Sequence, residues 1–297
     1  MRNQKHPALR PEGFTPLLHG AAARDRAMVS SLLDSWASAG FSHVAPIQVD
    51  EAQLLMENQA AEAQNRAFRF MDPVTGSMLA LLPDVTLGIS RLARGELSDF
   101  PRPLKLSYEG QAIRSTGSAQ RPARQFGQVG LEVIGAKEDV APDLIGLALQ
   151  ALADLDIKDV HLTLVLPTLA MEMINEHNLP VELAMALDRK DEGLVRSLAG
   201  KKSMLFLSIL RGECSDEDRL SDLLSLQEDL TQRFPSVQIK CEPFEQKGFA
   251  YQTGPSFALY SSNHHGDLGR GGWYSSGGED CFGFTLYRDA LLSASRY

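Results

Sequence analysis

Long apolar runs are missing from this chain. Nowhere do ~18 consecutive apolar residues occur, and the opening MRNQKHPALRPEGF has no apolar signal segment, so neither membrane spanning nor secretion is expected. Basic tracts are missing as well: the formal net charge is -9, with 29 Lys+Arg against 38 Asp+Glu, so the electrostatic footprint of a nucleic-acid binder is lacking. Cysteine is scarce. Cys214, Cys241 and Cys281 lie far apart with no C-x-x-C pair, which indicates neither a disulfide framework nor a zinc site and makes a reducing cytoplasm the expected setting. G-x-S-x-G and H-E-x-x-H are absent, and GKKS at Gly200 lacks the upstream glycine of a phosphate loop. His264 and His265 beside Asp267 read as a solvated turn rather than metal ligands. No metal and no cofactor are expected.

What is present is an ordinary globular composition, 43% hydrophobic and 23% charged, enough for a sizeable core in one large domain or two smaller ones. Met28, Leu32, Leu33 and Trp36 recur at helical spacing, and Gly40 follows as a C-cap, so residues 22–39 read as an amphipathic helix. FSHVAPIQV reads as extended, RAFRFM and SMLALL as short strands. Asp84 is placed to cap a helix whose apolar stripe includes Leu87 and Leu92. LKLSY and QAIRS then precede a further strand, and so many short runs in succession predict an antiparallel sheet. From Ala141 long amphipathic helices take over, with the β-branched DVHLTLVL and the apolar SMLFLSIL between them, giving an inserted helical region over roughly 141–235. Strand character returns in SVQIKCEPF, SFALYS and CFGFTLY, the last two separated by a loop from His264 to Gly278 holding six glycines. The weak phosphate-cradle reading of that loop yields to a mobile connection. The fold class is α+β.

RQFGQVGLEVIG, residues 124–135, carries the sharpest local question. Alternation puts Val129, Leu131 and Val133 on one face and Gln128, Gly130 and Glu132 on the other. On periodicity alone the polar face of a half-buried strand lies in water.

The order of motifs changes that reading. YEGQAIRSTGSAQRPARQFGQVGLEVIG resembles the second signature motif of the histidyl-tRNA synthetases and their paralogues. GFSHVAPIQVDEAQLL, with Pro46, resembles their first, dimer-forming motif. LLPDVT resembles R-P-E-G-T and R-P-D-x-T, KGFAYQTGPSFALY resembles R-G-L-D-Y-Y-T-G-x-x-F-E, and GRGGWY resembles G-G-R-Y-D. The resemblance implies a class II aminoacyl-tRNA synthetase core: an antiparallel sheet flanked by helices, spanning 1–297 with the helical insertion. Since Tyr297 follows closely on the last motif, no anticodon-binding domain is expected. It also implies a site for a histidine-like amino acid, with Asp84, Thr86, Gln128 and Glu132 around the ammonium, Arg114 towards the carboxylate, Tyr251 and Tyr274 near the side chain, Gln252 and Lys247 as further members of the set, and Gly130 leaving the floor clear. Gln128 and Glu132, about 13 Å apart along the strand at ~3.3 Å per residue, would grip the ligand between them.

Departures from the motifs are as informative. The synthetases' motif-2 glutamate and arginine fall on Thr116 and Gly117, their catalytic arginine on Lys247, the arginine of G-L-E-R on Ala290 unless a gap brings Arg288 into place, and the leading arginine of R-P-E-G-T on Leu82. Adenylation requires cations on the phosphates. A non-catalytic paralogue is therefore expected, and the resemblance points to the regulatory subunits of ATP phosphoribosyltransferase: self-associating proteins that assemble with a short catalytic subunit, activate the first step of L-histidine biosynthesis and mediate histidine feedback. Two other readings stay open, a free-standing amino-acid ligase using ATP, with Arg288 and Lys247 replacing the lost arginines, and an amino-acid-binding sensor.

Overall fold

A computed structural model describes residues 11–55, 65–118, 121–213, 217–246, 248–249 and 251–295. Lys247 and Cys214 lie outside the described residues. The strands are β1 (Ser42–Val44), β2 (Val49–Glu51), β3 (Arg69–Met71), β4 (Met78–Leu81), β5 (Leu104–Ile113), β6 (Gln125–Ile134), β7 (Val160–Val165), β8 (Gln238–Cys241), β9 (Gln252–Ser261), β10 (Asp267–Ser276) and β11 (Glu279–Tyr287). Eight of them form one sheet in the order β1-β5-β6-β11-β10-β9-β7-β8, and β2, β4 and β3 form a small separate sheet. Pairing in the large sheet is antiparallel except at its two ends, where β1 runs parallel to β5 and β8 parallel to β7.

One face of this sheet is closed by helices. Val129, Leu131 and Val133 stand beside Leu286, Phe284 and Phe282, and pack in one core with Met28, Leu32 and Trp36 of the helix His19–Ser38 and with the helix Ala141–Asp154. Trp36 meets Phe284 edge-on, ring centroids 5.7 Å apart. The first helix ends as expected, with Gly40 at φ +88° and its N–H on Ala37 O at 3.0 Å, a conformation glycine adopts without a Cβ penalty.

The helix Val85–Arg94 covers part of the opposite face. Asp84 caps it, accepting the Thr86 N–H at 3.2 Å. Its fully buried stripe is Val85, Ile89 and Ala93, while Leu87 and Leu92 are only half-buried at its flank. Val85, Ile89 and Ala93 recur at i, i+4 and i+8, whereas Leu87 and Leu92, five residues apart, do not share one face. Gly88 lets Pro46 approach: a Cβ there would stand 2.8 Å from Pro46 Cβ. Pro46 is thus buried within the chain, and its neighbour Ile47 is exposed.

Two expectations are corrected. The region 141–235 is mostly helical, but β7 within it is a strand of the large sheet, paired with β9 and β8. The glycine-rich stretch 264–278 is not a loop, since most of it is β10, paired on both sides by β9 and β11. Its strand glycines Gly269, Gly271 and Gly272 are places where neighbours come too close for a side chain. A Cβ on Gly271 would stand 2.6 Å from the Phe257 ring, and Gly272 has φ +152° beneath Gln252 and Ser256.

Candidate functional site

The face away from the main helical core carries the polar residues. Across the strands run Leu106, Glu132, Gly283, Gly272 and Ser256; on one side of that row lie Tyr108, Gly130, Thr285 and Arg270, on the other Ile134, Cys281, Tyr274 and Gln252. This register brings together residues far apart in sequence, and the sequence alone does not give it.

Gln128 is 0% and Glu132 1% exposed, so β6 is buried on both faces and its polar side is not in water. Each polar residue is engaged by the start of the helix Val85–Arg94. The Val85 N–H donates to Gln128 Oε1 at 2.8 Å, and Gln128 Nε2 donates to Asp84 Oδ2 at 3.3 Å. Arg114 holds the same loop, donating from Nε to Pro83 O at 2.8 Å and from Nη2 to Asp84 Oδ2 at 3.1 Å. Glu132 accepts from Thr86 Oγ1 at 3.1 Å and from Tyr274 Oη at 2.9 Å. Burial pushes the Glu132 carboxyl up to about 8, with the Tyr274 and Thr86 hydroxyls pulling the other way. Burial likewise holds Tyr108 and Tyr274 well above the ordinary phenol range.

Gly130 does not leave the floor clear. A Cβ there would stand 2.6 Å from Tyr108 Oη, so the tyrosine of the next strand fills the space between Gln128 and Glu132. Tyr108 Oη is 2.6 Å from Thr285 Oγ1 and 3.3 Å from Thr86 Oγ1, completing a buried hydroxyl cluster beside the carboxylate. Tyr108 and Thr285 escaped sequence reasoning. Tyr108 sits in the alternating run LKLSY, but only the register shows that it faces Gly130.

Tyr251 is half-exposed at the rim, its ring centroid 6.2 Å from that of Tyr274. Gln252 is buried, its Oε1 accepting from Ser256 Oγ at 2.7 Å. The cavity among Thr86, Glu132, Tyr251, Gln252 and Arg270 measures about 10 Å³, the room of roughly one water. A larger hollow of about 140 Å³ lies by Leu187, Phe244 and Glu245. It holds none of the expected ligand residues, and within its charged wall Lys190 pairs with Glu242 at 2.6 Å. Among the described residues no His/Cys/Asp/Glu cluster could hold a metal ion.

Further along the same face, charge is paired within the protein. Asp267 Oδ2 accepts from Arg270 Nε at 2.5 Å, and Asp267 O accepts from Arg121 Nη2 at 3.2 Å. Both carboxylate oxygens of Asp289 accept from Arg121 Nη1 at 3.0 Å. Arg121 also lies 3.7 Å from the Tyr287 ring centroid, a cation–π contact. Arg288, by contrast, faces the helical core: its guanidinium pairs with Asp25 and, at 2.9 Å, with Glu109, and a Cβ on Gly127 would stand 2.6 Å from its Cδ. It does not reach the Glu132 face.

A histidyl-tRNA synthetase family profile matches residues 13–291. The ATP phosphoribosyltransferase regulatory subunit of Rhodospirillum centenum is 34% identical over 97% of this chain and 80% of its own length, and that of Paramagnetospirillum magneticum 33% identical over 99% and 83%. The chain belongs to the histidyl-tRNA synthetase family, among its ATP phosphoribosyltransferase regulatory subunits. Solved structures share the fold of this regulatory-subunit family. An ATP phosphoribosyltransferase regulatory subunit/histidyl-tRNA synthetase from Bacillus halodurans superposes with TM-score 0.79 at 20% identity, covering 97% of this chain and 83% of that one. A chain of the ATP phosphoribosyl transferase (HisG:HisZ) complex from Thermotoga maritima gives 0.70 at 18%, covering 89% and 97%. The class II synthetase-like sheet is thus the family fold. No helix among the described residues is long and apolar enough to cross a membrane.

Proposed function

We propose that this chain is a non-catalytic regulatory subunit that assembles with a short catalytic ATP phosphoribosyltransferase subunit, activates it in the first step of L-histidine biosynthesis and transmits feedback by histidine. The observation that carries this reading is the 34% identity to a regulatory subunit over 97% of the chain. The paired arginines of the cleft support the absence of catalysis, and the position of Arg288 on the far face counts against a ligase that would recruit it. The chain acts in the cytoplasm, as one class II core whose mostly helical region 141–235 also supplies β7 to the sheet, self-associating near Pro46.

Asp84, Thr86, Arg114, Gln128, Glu132, Tyr251, Gln252, Tyr274 and Lys247 form the ligand site of this reading. A cavity of about 10 Å³ admits an amino acid only if side chains move, and Tyr251, the exposed member, is the first to do so. Opening costs free energy, and affinity falls by the fraction of molecules that are open. A histidine site here and an activating contact with the partner would be linked reciprocally: a ligand favouring the inactive assembly weakens the active one equally.

The test is phosphoribosyl transfer by the short catalytic chain, measured alone and with this chain added. A rise in rate on addition, together with inhibition by histidine, is expected. An unchanged rate with no co-elution of the two chains overturns the reading.

A further inference from the structure

We propose that Asp267 and Asp289 are built-in counter-anions that occupy Arg121 and Arg270 and keep phosphate-bearing ligands out of this end of the cleft. The proposal rests on the pairing geometry and stands apart from any contact with a catalytic partner.

The two guanidinium groups are nearly enclosed, with side chains 10% and 15% exposed. They sit on the Glu132 face, since Arg270 stands beside Thr285 in the sheet and lines the cavity that Glu132 also lines. Two enclosed arginines in a cleft form a strong oxyanion site when their donors point at open space. Here the protein supplies the oxyanions. Asp267, 7% exposed, lies between them, 2.5 Å from Arg270 Nε and 3.6 Å from Arg121 Nη2. Asp289 takes Arg121 Nη1 with both oxygens at 3.0 Å.

Two guanidinium groups face two carboxylates, and Glu245, whose carboxyl burial pushes up, lies within electrostatic reach of Arg270. His264 borders the cluster, held below its ordinary value chiefly by burial. With the imidazole neutral, the two guanidinium groups are balanced by the two carboxylates, so a phosphate approaching this cluster meets no net positive charge and would have to displace a carboxylate from a partner it already holds. Desolvating a polyanion against such a surface is unfavourable. The site is therefore closed by its own side chains, independently of the arginines that the family motifs place elsewhere.

Inorganic pyrophosphate is the probe, titrated calorimetrically into the full chain. The wild type is expected to show no binding. The double variant D267N/D289N shifts the local charge by two units while keeping side-chain shape, and is expected to bind pyrophosphate at least tenfold more tightly than wild type, with a matching rise in melting temperature. Adding Arg121→Gln to the double variant should abolish the gain. If the double variant fails to fold, Asp289→Asn alone, whose carboxylate is 44% exposed, is expected to give a smaller gain of the same kind. Wild-type binding as tight as that of a folded variant, or a folded variant that binds no more tightly than wild type, overturns the proposal.

Discussion

Tyr274 Oη donates to Glu132 Oε2 at 2.9 Å, joining β10 to β6 across the intervening β11. This bond lies in a fully buried setting, and burial pushes Glu132 up to about 8 from an ordinary value of 4.5. Between those values the folded chain holds a proton that the unfolded chain has released. The resulting contribution to stability is full below the unfolded value and is lost as pH rises through the folded one. Glu132→Gln is neutral throughout and should flatten that part of the profile. Urea unfolding at about pH 5 and about pH 9 is expected to show wild type losing on the order of 4 kcal/mol relative to the variant across the window. Parallel profiles would show that Glu132 does not titrate in this range.

The same carboxyl makes ligand binding dependent on pH in the opposite sense. An ammonium is held by the charged form, so a proton must leave on binding, and the affinity of wild type for L-histidine should rise from about pH 6 to about pH 8. Glu132→Gln should cost roughly 1.5–3 kcal/mol, on the order of tenfold to a hundredfold in affinity. Calorimetric titration of both proteins checks this, and equal affinities would remove Glu132 from the site.

Glu132 lies directly over Gly283, where an added Cβ would collide with Glu132 Oε2. Gly283→Ala is therefore expected to destabilise the chain by ~1–3 kcal/mol. Most of that loss should vanish in a Glu132→Ala background, because the collision partner is gone. Equal penalties in the two backgrounds, read from thermal melts, would place the strain elsewhere.

Arg288 anchors the helix Arg288–Ala294 to the first helix through Asp25, which is 6% exposed. Arg288→Gln leaves that carboxylate buried without its cation, an effect of roughly 3–5 kcal/mol. The loss should appear in the melting temperature. Activation of the catalytic chain, measured at a temperature where the variant is folded, should be unchanged. A variant as stable as wild type but unable to activate would give Arg288 a functional role instead.

Parts of this architecture were legible in the sequence for definite reasons. Alternation placed Val129, Leu131 and Val133 on the helix-packed face, and the capping role of Asp84 followed from its chemistry just before an apolar periodic run. Glycine-rich β10 was misread because glycine marks turns and tight strand contacts alike, and only neighbours such as Phe257 and Gln252 tell the two apart. The stripe of the helix Val85–Arg94 was blurred because Leu92 falls at i+3 from Ile89 and so borders the same face, while Leu87, two residues from Val85, lies off it. Tyr108, Thr285 and the Asp267–Arg270 pair were missed because their meaning lies in strand register, which no single segment encodes.

The interlock of Glu132 with the glycine beneath it constrains how this surface can drift. A Cβ at Gly283 collides with the Glu132 carboxylate where it stands, and shortening Glu132 leaves the Tyr274 hydroxyl without its buried acceptor. Each residue is a barrier to change in the other, so the pair is retained by packing whether or not a ligand ever arrives. The outline of a synthetase-like pocket can therefore persist through many generations whatever the pocket binds, as a keystone stays in an arch after the door beneath it has been walled up.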